Sequence, residues 1–316
     1  KTFKVAADGK TITTVDTKKH DDKQGQHNSL IKLDNNTVAL AYYGEGGTGT
    51  QGGYIKTFNI NTDGSSITEV ALKNYKTGST RYNSLVKVDN NTLAVAYHGG
   101  GGFLETLDIA DDGKSLTEVK LEQFDKNSQG TFIDLIGGES GKFVVAYKGN
   151  EAPYGTGGII KTFTIGTDGT ITHEASLKHT KDSNISWNKL IKVSSEVYAL
   201  FYRDPLSGKG KVKTLYIPGD AKLISVVTDT EYYSGINSHN SPIKIDGDIY
   251  ANAWAGAGDD GFIGTLKIRS DLPFFKSVEI AADNSALTVT FNETVYTTTG
   301  ASTDLVKEDF TFSLVG

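Results

Sequence analysis

The stretch NSLIKLDNNTVALAYYG, Asn28–Gly44, returns almost unchanged as NSLVKVDNNTLAVAYHG at Asn83–Gly99. A sequence that returns at a fixed interval indicates a repeated structural unit. The unit occurs five times, because its closing aromatic residue is found at Tyr42, Tyr97, Tyr147, Tyr202 and Trp254. These aromatics are 50–55 residues apart, an interval typical of β-propeller blades and too long for leucine-rich or hexapeptide repeats.

Each unit has the pattern of a four-stranded antiparallel sheet. Residues 29–33 and 37–42 are short β-branched and aromatic runs separated by the turn Asp34-Asn35-Asn36. A glycine-rich connection leads to a third strand at 54–60, and Asp63-Gly64 turns the chain into a fourth strand at 67–72. The first two strands are the richer in apolar residues, so we expect them to lie nearest the axis and the last two to face water.

The two ends of the repeat predict how the ring closes. Residues 1–5 and 11–16 have the pattern of a third and a fourth strand, whereas the last unit, 241–268, has no clear fourth strand. The sequence therefore predicts an all-β fold, a β-propeller of five blades of four antiparallel strands, closed by pairing the N-terminal hairpin with the last unit. Six blades are the alternative, with one blade lost upstream of Lys1. The propeller domain is predicted to span residues 1–270.

Residues 271–316 lack the repeat markers and form a separate predicted segment. Phe275–Ile280 and Ala286–Phe291 alternate like strands around the turn Asp283-Asn284-Ser285, and they resemble the opening strands of bacterial Ig-like domains. A complete Ig-like sandwich has about 100 residues. The resemblance therefore implies an incomplete Ig-like β-sandwich segment, which would support self-association if a neighbouring molecule completed the sandwich.

Composition excludes several classes of partner. The 316 residues carry a net charge of −6 without a basic stripe, which argues against nucleic acid. No apolar run approaches the roughly 20 residues that cross a bilayer, so we expect no membrane insertion. Cysteine and methionine are both absent, which suits a protein exposed to oxidants. Because the chain does not begin with Met, we expect that Lys1 was exposed by processing or begins a fragment, so that a signal peptide would already have been removed. The predicted location is extracellular or at the cell surface.

The repeat also resembles a known type of sequence. Its pattern is carried by His20-Asp21, Asn28-Ser29-Leu30, Ala41-Tyr42 and Ile55-Lys56-Thr57-Phe58, and it returns in the later units. Units of this form are similar to propeller repeats of large exported proteins from environmental prokaryotes. The resemblance covers residues 1–269 and implies a propeller fold and an extracellular setting, with no reaction attached.

A rim of aromatic and polar residues is the candidate ligand site. Four units have a histidine or aromatic residue followed by asparagine just before the first strand: His27-Asn28, Tyr82-Asn83, Trp187-Asn188 and His239-Asn240. Such repeated pairs would suit a lectin-like propeller that binds a glycan. The alternative is structural, with each asparagine capping the turn into the innermost strand by bonding local backbone.

No known catalytic or metal-binding motif can be found in the sequence, which lacks HExxH, GxSxG and GxxxxGK[ST]. Asp134, Glu139 and Asp204 interrupt the repeat and are the carboxylates that a glycosidase could use as a pair. Aspartate pairs at 21–22, 111–112 and 259–260 could supply oxygens for calcium, although they lack the spacing of a calcium loop. We expect no cofactor, with calcium as the alternative.

Together these patterns predict a non-enzymatic extracellular module with a structural or adhesive role in a surface or filament protein. The first alternative is a carbohydrate-binding, lectin-like propeller. A glycosidase is the less favoured alternative.

Overall fold

The computed structural model describes residues 1–127, 129–181, 184–269, 275–280, 282 and 287–291. The chain divides into two compact units, Lys1–Ile268 and Arg269–Gly316. The first unit is all-β and contains five antiparallel blades in a propeller arrangement, which confirms the predicted fold class.

The strands follow one another as antiparallel meanders. A separate N-terminal hairpin consists of β1 (Thr2–Val5) and β2 (Ile12–Asp16). Blade 1 consists of β3 (Gly25–Lys32), β4 (Thr37–Gly44), β5 (Gly52–Ile60) and β6 (Ile67–Thr77). Blade 2 consists of β7 (Arg81–Lys87), β8 (Thr92–His98), β9 (Gly102–Ile109) and β10 (Leu116–Asp125). Blade 3 consists of β11 (Thr131–Gly137), β12 (Lys142–Glu151), β13 (Gly155–Ile165) and β14 (Ile171–Thr180). Blade 4 consists of β15 (Ser186–Lys192), β16 (Val197–Arg203), β17 (Lys209–Tyr216) and β18 (Ser225–Ile236). Blade 5 has three strands, β19 (Ser238–Asp246), β20 (Ile249–Ala255) and β21 (Gly261–Lys267), with a 3₁₀ turn at Ala257–Asp259.

Apolar side chains between successive blades form the core. Between blades 1 and 2, Ala39 and Ala41 of β4 pack in one cluster with Leu93, Val95 and Tyr97 of β8. The small alanines let the two sheets approach closely, and the larger residues of the facing strand fill the space between them. The next two interfaces are built from apolar clusters of the same kind.

Burial is greatest in the second and third strands of blade 1, so the expectation that third strands face water is wrong. Every residue from Gly52 to Phe58 in β5 is buried, whereas most of β6 is partly or fully exposed. The third strand can carry a buried lysine because that lysine is paired: Lys56 Nζ lies 2.9 Å from the Glu69 carboxylate.

In blades 1, 2 and 3, one threonine of the third strand forms a hydrogen bond to the next blade. Its hydroxyl donates to a main-chain carbonyl in the turn between the third and fourth strands of the following blade. These bonds join Thr57 to Gly113, Thr106 to Gly169 and Thr162 to Ala221, at 2.6–2.7 Å.

The N-terminal hairpin does not pair with the last blade, so the predicted mode of closure is wrong. Strand β21 occupies the edge of β20 that β1 would need, and β1 and β2 form a described sheet of their own. The hairpin packs on blade 1 instead, where Thr2 Oγ1 donates to the Gly64 carbonyl at 2.7 Å. This bond is equivalent to the bond that Thr57 of blade 1 makes to the Gly113 carbonyl of blade 2. The hairpin therefore takes the place of the outer two strands of a blade that precedes blade 1.

The second unit contributes one described antiparallel sheet of two strands, β22 (Phe275–Ile280) and β23 (Leu287–Phe291). The remainder of the predicted Ig-like segment lies outside the described residues, and the Ig-like assignment gains no support. No helix within the described residues is both long enough and apolar enough to cross a bilayer.

Candidate functional site

A β-bulge interrupts the innermost strand of every blade. In blade 1, β3 advances from Gln26 to Ser29 while β4 advances by two residues, so β3 contains one extra residue. The same shift occurs at the corresponding positions of β7, β11, β15 and β19. One residue of each bulge has a left-handed backbone, with φ between 52° and 58°: His27, Tyr82, Phe132, Trp187 and His239.

This left-handed conformation is unusual for bulky side chains. It costs on the order of 1–3 kcal/mol for a residue other than glycine. Glycine would adopt it without strain, yet none of the five positions is glycine. Bulges also redirect side chains and are common next to functional sites. The strained backbone makes these five side chains the leading candidates for a site.

The five side chains form a continuous series of contacts at the propeller axis. Their ring centroids are 5.1 Å apart for His27–Tyr82, 4.9 Å for Tyr82–Phe132, 5.1 Å for Phe132–Trp187 and 3.7 Å for Trp187–His239. His239 is exposed, and the other four are half-buried. We call these five residues the axial arc.

The axial arc brings together the four non-asparagine residues of the predicted rim and adds Phe132, which the sequence analysis missed. Blade 3 has Phe132-Ile133 where the other blades have an asparagine in second place. A search for aromatic-asparagine pairs therefore passes over blade 3. The signal that could have found Phe132 is its aromatic ring at the same repeat position.

Three of the four rim asparagines join neighbouring blades. Each side-chain amide donates to the carbonyl of the arc residue in the preceding blade. These bonds join Asn83 to His27 at 3.2 Å, Asn188 to Phe132 at 3.2 Å and Asn240 to Trp187 at 3.0 Å. The predicted bond to local backbone is found at Asn28, which donates to the Gly25 carbonyl at 3.1 Å. Three asparagines therefore bond to the main chain of the bulges and not to the arc side chains.

Two polar residues belong to the first two blades of the axial arc region, His27 in β3 and Arg81 in β7. Burial lowers the pKa of His27, and the Arg81 guanidinium lowers it further, so the imidazole is neutral at pH 7. Arg81 is exposed and directly precedes Tyr82. A neutral imidazole can accept a proton, and a guanidinium can bind carboxylate or hydroxyl oxygens.

The three carboxylates considered for a glycosidase are each placed beside a different lysine. The N–O distances are 2.6 Å for Lys189–Asp134, 2.7 Å for Lys192–Glu139 and 3.8 Å for Lys211–Asp204. Asp134 is buried and also accepts the Leu190 N–H at 2.7 Å, which joins blade 3 to blade 4. Burial raises the pKa of Asp134, and Lys189 opposes that shift. These contacts give the carboxylates structural roles.

Asp21, a candidate calcium ligand, forms hydrogen bonds with the backbone. Its carboxylate accepts the N–H groups of Lys23, Gln24, Glu45 and Gly46. Within the described ranges, no group of three or more His, Asp or Glu side chains is arranged to hold a metal ion. The calcium alternative therefore gains no support.

No protein-family model matches the sequence, and no curated protein is detectably similar to it. The fold is similar to that of a protein of unknown function from Dyadobacter fermentans, with a TM-score of 0.52 and 13% identity over 78% of this chain and 80% of that one. A candidate 6-phosphogluconolactonase from Bacteroides fragilis gives a TM-score of 0.51 and 11% identity over 82% and 75%. A second candidate 6-phosphogluconolactonase, from Bacteroides uniformis, gives a TM-score of 0.50 and 10% identity over 81% of this chain and 75% of that one. At these identities the similarity shows the fold alone, and it does not support the predicted relation to exported repeat proteins.

The predicted non-enzymatic structural or adhesion module is wrong. The solved structures that share the fold include two proteins described as candidate 6-phosphogluconolactonases, which are named as enzymes and not as adhesion modules. The lack of a known catalytic motif was a poor argument against an enzyme, because a propeller site draws its residues from several blades. Linear motifs do not reveal such a site.

Proposed function

We propose that this chain is a carbohydrate-processing propeller, in which a sugar or sugar-derived lactone binds across the axial arc. The observation that carries the proposal is the arc itself, five ring side chains held in a strained backbone at one repeat position. The apolar C–H face of a sugar packs well on aromatic rings, and its hydroxyl groups bond to polar groups at the edge. The net charge of −6 disfavours nucleic acid as the stacked ligand.

The reaction class that suits these groups is lactone hydrolysis. Water attacks the carbonyl carbon, the ester C–O bond breaks, and the proton lost by water passes to the leaving oxygen, which yields a hydroxy acid whose carboxyl group then ionises and releases a proton. In this proposal, neutral His27 is the general base that takes the proton from water. Arg81 stabilises the charge that develops on the carbonyl oxygen in the intermediate, and it binds the carboxylate that forms when the product ionises. The candidate 6-phosphogluconolactonases of the same fold support this reaction class.

Location and assembly belong to the proposal as well. The absence of cysteine and methionine supports an extracellular or cell-surface location. Self-association through residues 271–316 stays a prediction.

Fluorescence can test binding at the axial arc, because the chain has only two tryptophans. In a Trp254→Phe background, Trp187 is the sole indole, and a sugar that covers the arc changes its emission. The probes are gluconate and a panel of monosaccharides and oligosaccharides. We expect Tyr82→Ala to weaken binding at least about tenfold, since a central ring is lost. Tyr43→Ala, an aromatic substitution outside the arc, is the matched control and should leave binding unchanged.

Acid release from glucono-δ-lactone, measured above the spontaneous rate, tests the reaction. We expect His27→Gln to lower kcat by about 10²- to 10⁴-fold while the fluorescence titration with gluconate changes little. Binding without acid release from any lactone would contradict the hydrolytic role. An emission that no sugar changes would contradict the site itself.

A further inference from the structure

Within the described part of the propeller unit, one sheet face at each end lacks the neighbour that covers the same face elsewhere. The forward face of a blade is the face that packs against the next blade. On blade 5 this face carries Ile243 and Ile263, which are 60% and 78% exposed. Their counterparts in blade 1, Ile31 and Ile55, pack against blade 2, and Ile55 is completely buried. The forward face of blade 5 therefore has the composition of an interior surface.

The back face of blade 1 is open along its innermost strand. Leu30 is 64% exposed, whereas its counterparts Leu85, Leu135 and Leu190 are 3–5% exposed. Among the described strands, β19 and β3 do not form the extensive packing that joins the other neighbouring innermost strands. The ring is therefore open between blade 5 and blade 1.

Both open faces carry grooves. A groove of about 260 Å³ on blade 1 is lined in part by Leu30, Leu40 and Phe58. A groove of about 490 Å³ on blade 5 is lined in part by Ala253 and Ile263. Contiguous apolar surface of this kind marks an interaction site.

The threonine-to-turn bond shows that the two ends are complementary. Thr265 has the position of Thr57, which donates to the Gly113 carbonyl of the next blade, but Thr265 is exposed. Gly9 of the N-terminal hairpin has the position of Gly113. Among the described residues, no heavy atom beyond its chain neighbours lies within 4 Å of the place that a Cβ of Gly9 would take. Among the described residues, Thr265 therefore lacks the turn carbonyl that accepts the equivalent bond in blades 1 to 3, and the turn at Gly9 lacks the threonine that would donate it.

The innermost strands show the same complementarity. The Leu85 N–H donates to Ser29 Oγ at 2.9 Å across the interface between blades 1 and 2. Ser241 has the position of that serine on the forward face of blade 5, and Leu30 has the position of that leucine on blade 1. Both residues are exposed. A pair of strands placed between them could bond to both.

We propose that the slot between blades 5 and 1 takes a two-stranded antiparallel hairpin with the inner-strand sequence of the repeat. The hairpin β1–β2 already occupies the outer half of this position, as the Thr2–Gly64 bond indicates. The occupant supplies the inner half. Its leucine covers the forward face of blade 5, and its serine accepts the Leu30 N–H. The ring then has six positions, in continuity with the interfaces between the existing blades.

The test places a second copy of residues 80–104 directly ahead of Lys1 in the full chain. This junction keeps the register, because Glu105 and Lys1 precede the equivalent residues Thr106 and Thr2. We expect the melting temperature to rise by about 5 °C or more, since two apolar faces become covered. In the matched control, the grafted copies of Leu85 and Val95 are replaced by lysine, and we expect no rise.

Substitutions in the slot locate the effect. Leu30→Lys changes an exposed residue, so it should alter the parent chain little but abolish the rise in the grafted chain. Thr265→Val should reduce that rise, because valine cannot donate the bond to the Gly9 carbonyl that we expect in the closed ring. Equal melting temperatures for the graft and its lysine control would overturn the proposal. So would a rise that survives Leu30→Lys.

A hairpin added in trans decides the matter if the grafted chain does not fold. A free peptide of residues 80–98 should raise the melting temperature of the unmodified chain as its concentration increases. The absence of a shift would overturn the proposal. Concentration-dependent dimerisation of the unmodified chain, abolished by Leu30→Lys, would also overturn it, because a second copy would then be the occupant.

Discussion

The innermost strands of blades 1 and 2 contain the same tripeptide, Asn-Ser-Leu, but the two copies have different surroundings. Leu85 is buried between blades, whereas Leu30 is exposed on an open face. Asn83 is buried and bonded to the preceding blade, whereas Asn28 is exposed and bonded to local backbone. The sequence of one blade thus supplies only half of an interface, and the neighbouring blade determines how much each residue contributes to stability.

The largest expected difference between the two blades is at the leucine. Leu85→Ala should lower the free energy of unfolding by about 2–5 kcal/mol, because it leaves a cavity in the packed interface. Leu30→Ala should lower it by less than about 0.5 kcal/mol, because the side chain is already in water. Urea unfolding of both variants measures the difference. Equal losses would mean that Leu30 is covered in solution and that the ring is closed.

The third strands of blades 1 and 2 differ in the charge of one buried side chain, which predicts a pH effect of this position in blade 2 and not in blade 1. Blade 1 has Lys56, paired with Glu69 at 2.9 Å, and blade 2 has Glu105. Burial raises the pKa of Glu105 from 4.5 to about 7, although Tyr97 donates a hydrogen bond to its carboxyl group at 3.0 Å. Between these pH values the folded chain keeps a proton that the unfolded chain releases. Stability from this group is therefore greatest below pH 4.5 and is lost as pH rises through 7, by about 2–3 kcal/mol.

Two substitutions test the pH effect by urea unfolding at pH 5 and pH 8. Glu105→Gln should remove the contribution of this group to the slope and stabilise the chain at pH 8. Glu105→Lys should do the same and bring blade 2 closer to blade 1, because Glu118 has the repeat position of Glu69. If the free energy of unfolding of Glu105→Gln changed with pH as steeply as that of the unmodified chain, the pH effect would belong to another group.

The asparagines should show the same contrast on a smaller scale. Asn83→Ala removes the bond to the His27 carbonyl and takes away the acceptor of the Tyr75 hydroxyl, which lies 2.9 Å from Asn83 Oδ1. We expect a loss of about 1–2 kcal/mol, since buried polar groups lose their partners. Asn28→Ala should cost less than about 0.5 kcal/mol. Thermal unfolding followed by circular dichroism compares the two, and a larger loss for Asn28→Ala would contradict the open face.

The smallest expected difference between the blades concerns backbone strain. His27 and Tyr82 have φ values of 53° and 55°, so a glycine at either position should be more stable than an alanine by about 1 kcal/mol. Because this strain is local, the glycine–alanine difference should be the same in both blades. Both Tyr82 variants should lose sugar binding. A difference confined to one blade would show that the neighbouring blade imposes the bulge conformation.

The sequence was sufficient for the fold class because its signals are local and recur. The closing aromatic residue returns in all five units and Asp-Gly turns recur along the chain, and strand periodicity is clear within each unit. The contacts between blades could not be predicted from these local signals. The third-strand pattern occurs both in β1 and in β21, and the sequence does not show that β21 alone pairs with β20 while β1 pairs with β2.

The candidate site was predicted only in part. Its residues were recognised as a repeated pair, but bulky residues such as Tyr82 and Trp187 give no sequence signal for a left-handed backbone. Phe132 lacked the expected asparagine and was missed for that reason. Catalysis was dismissed because no linear motif was present, although a site made from several blades need not contain one.

In the bulges, the main chain and the side chain have separate tasks. The carbonyls of His27, Phe132 and Trp187 accept the bonds from the next blade, so assembly uses an atom that every amino acid possesses. The side chains at this position already differ among the blades. Evolution could therefore change recognition without changing assembly, and a laboratory library randomised at the five arc positions would diversify a ligand surface on a constant scaffold.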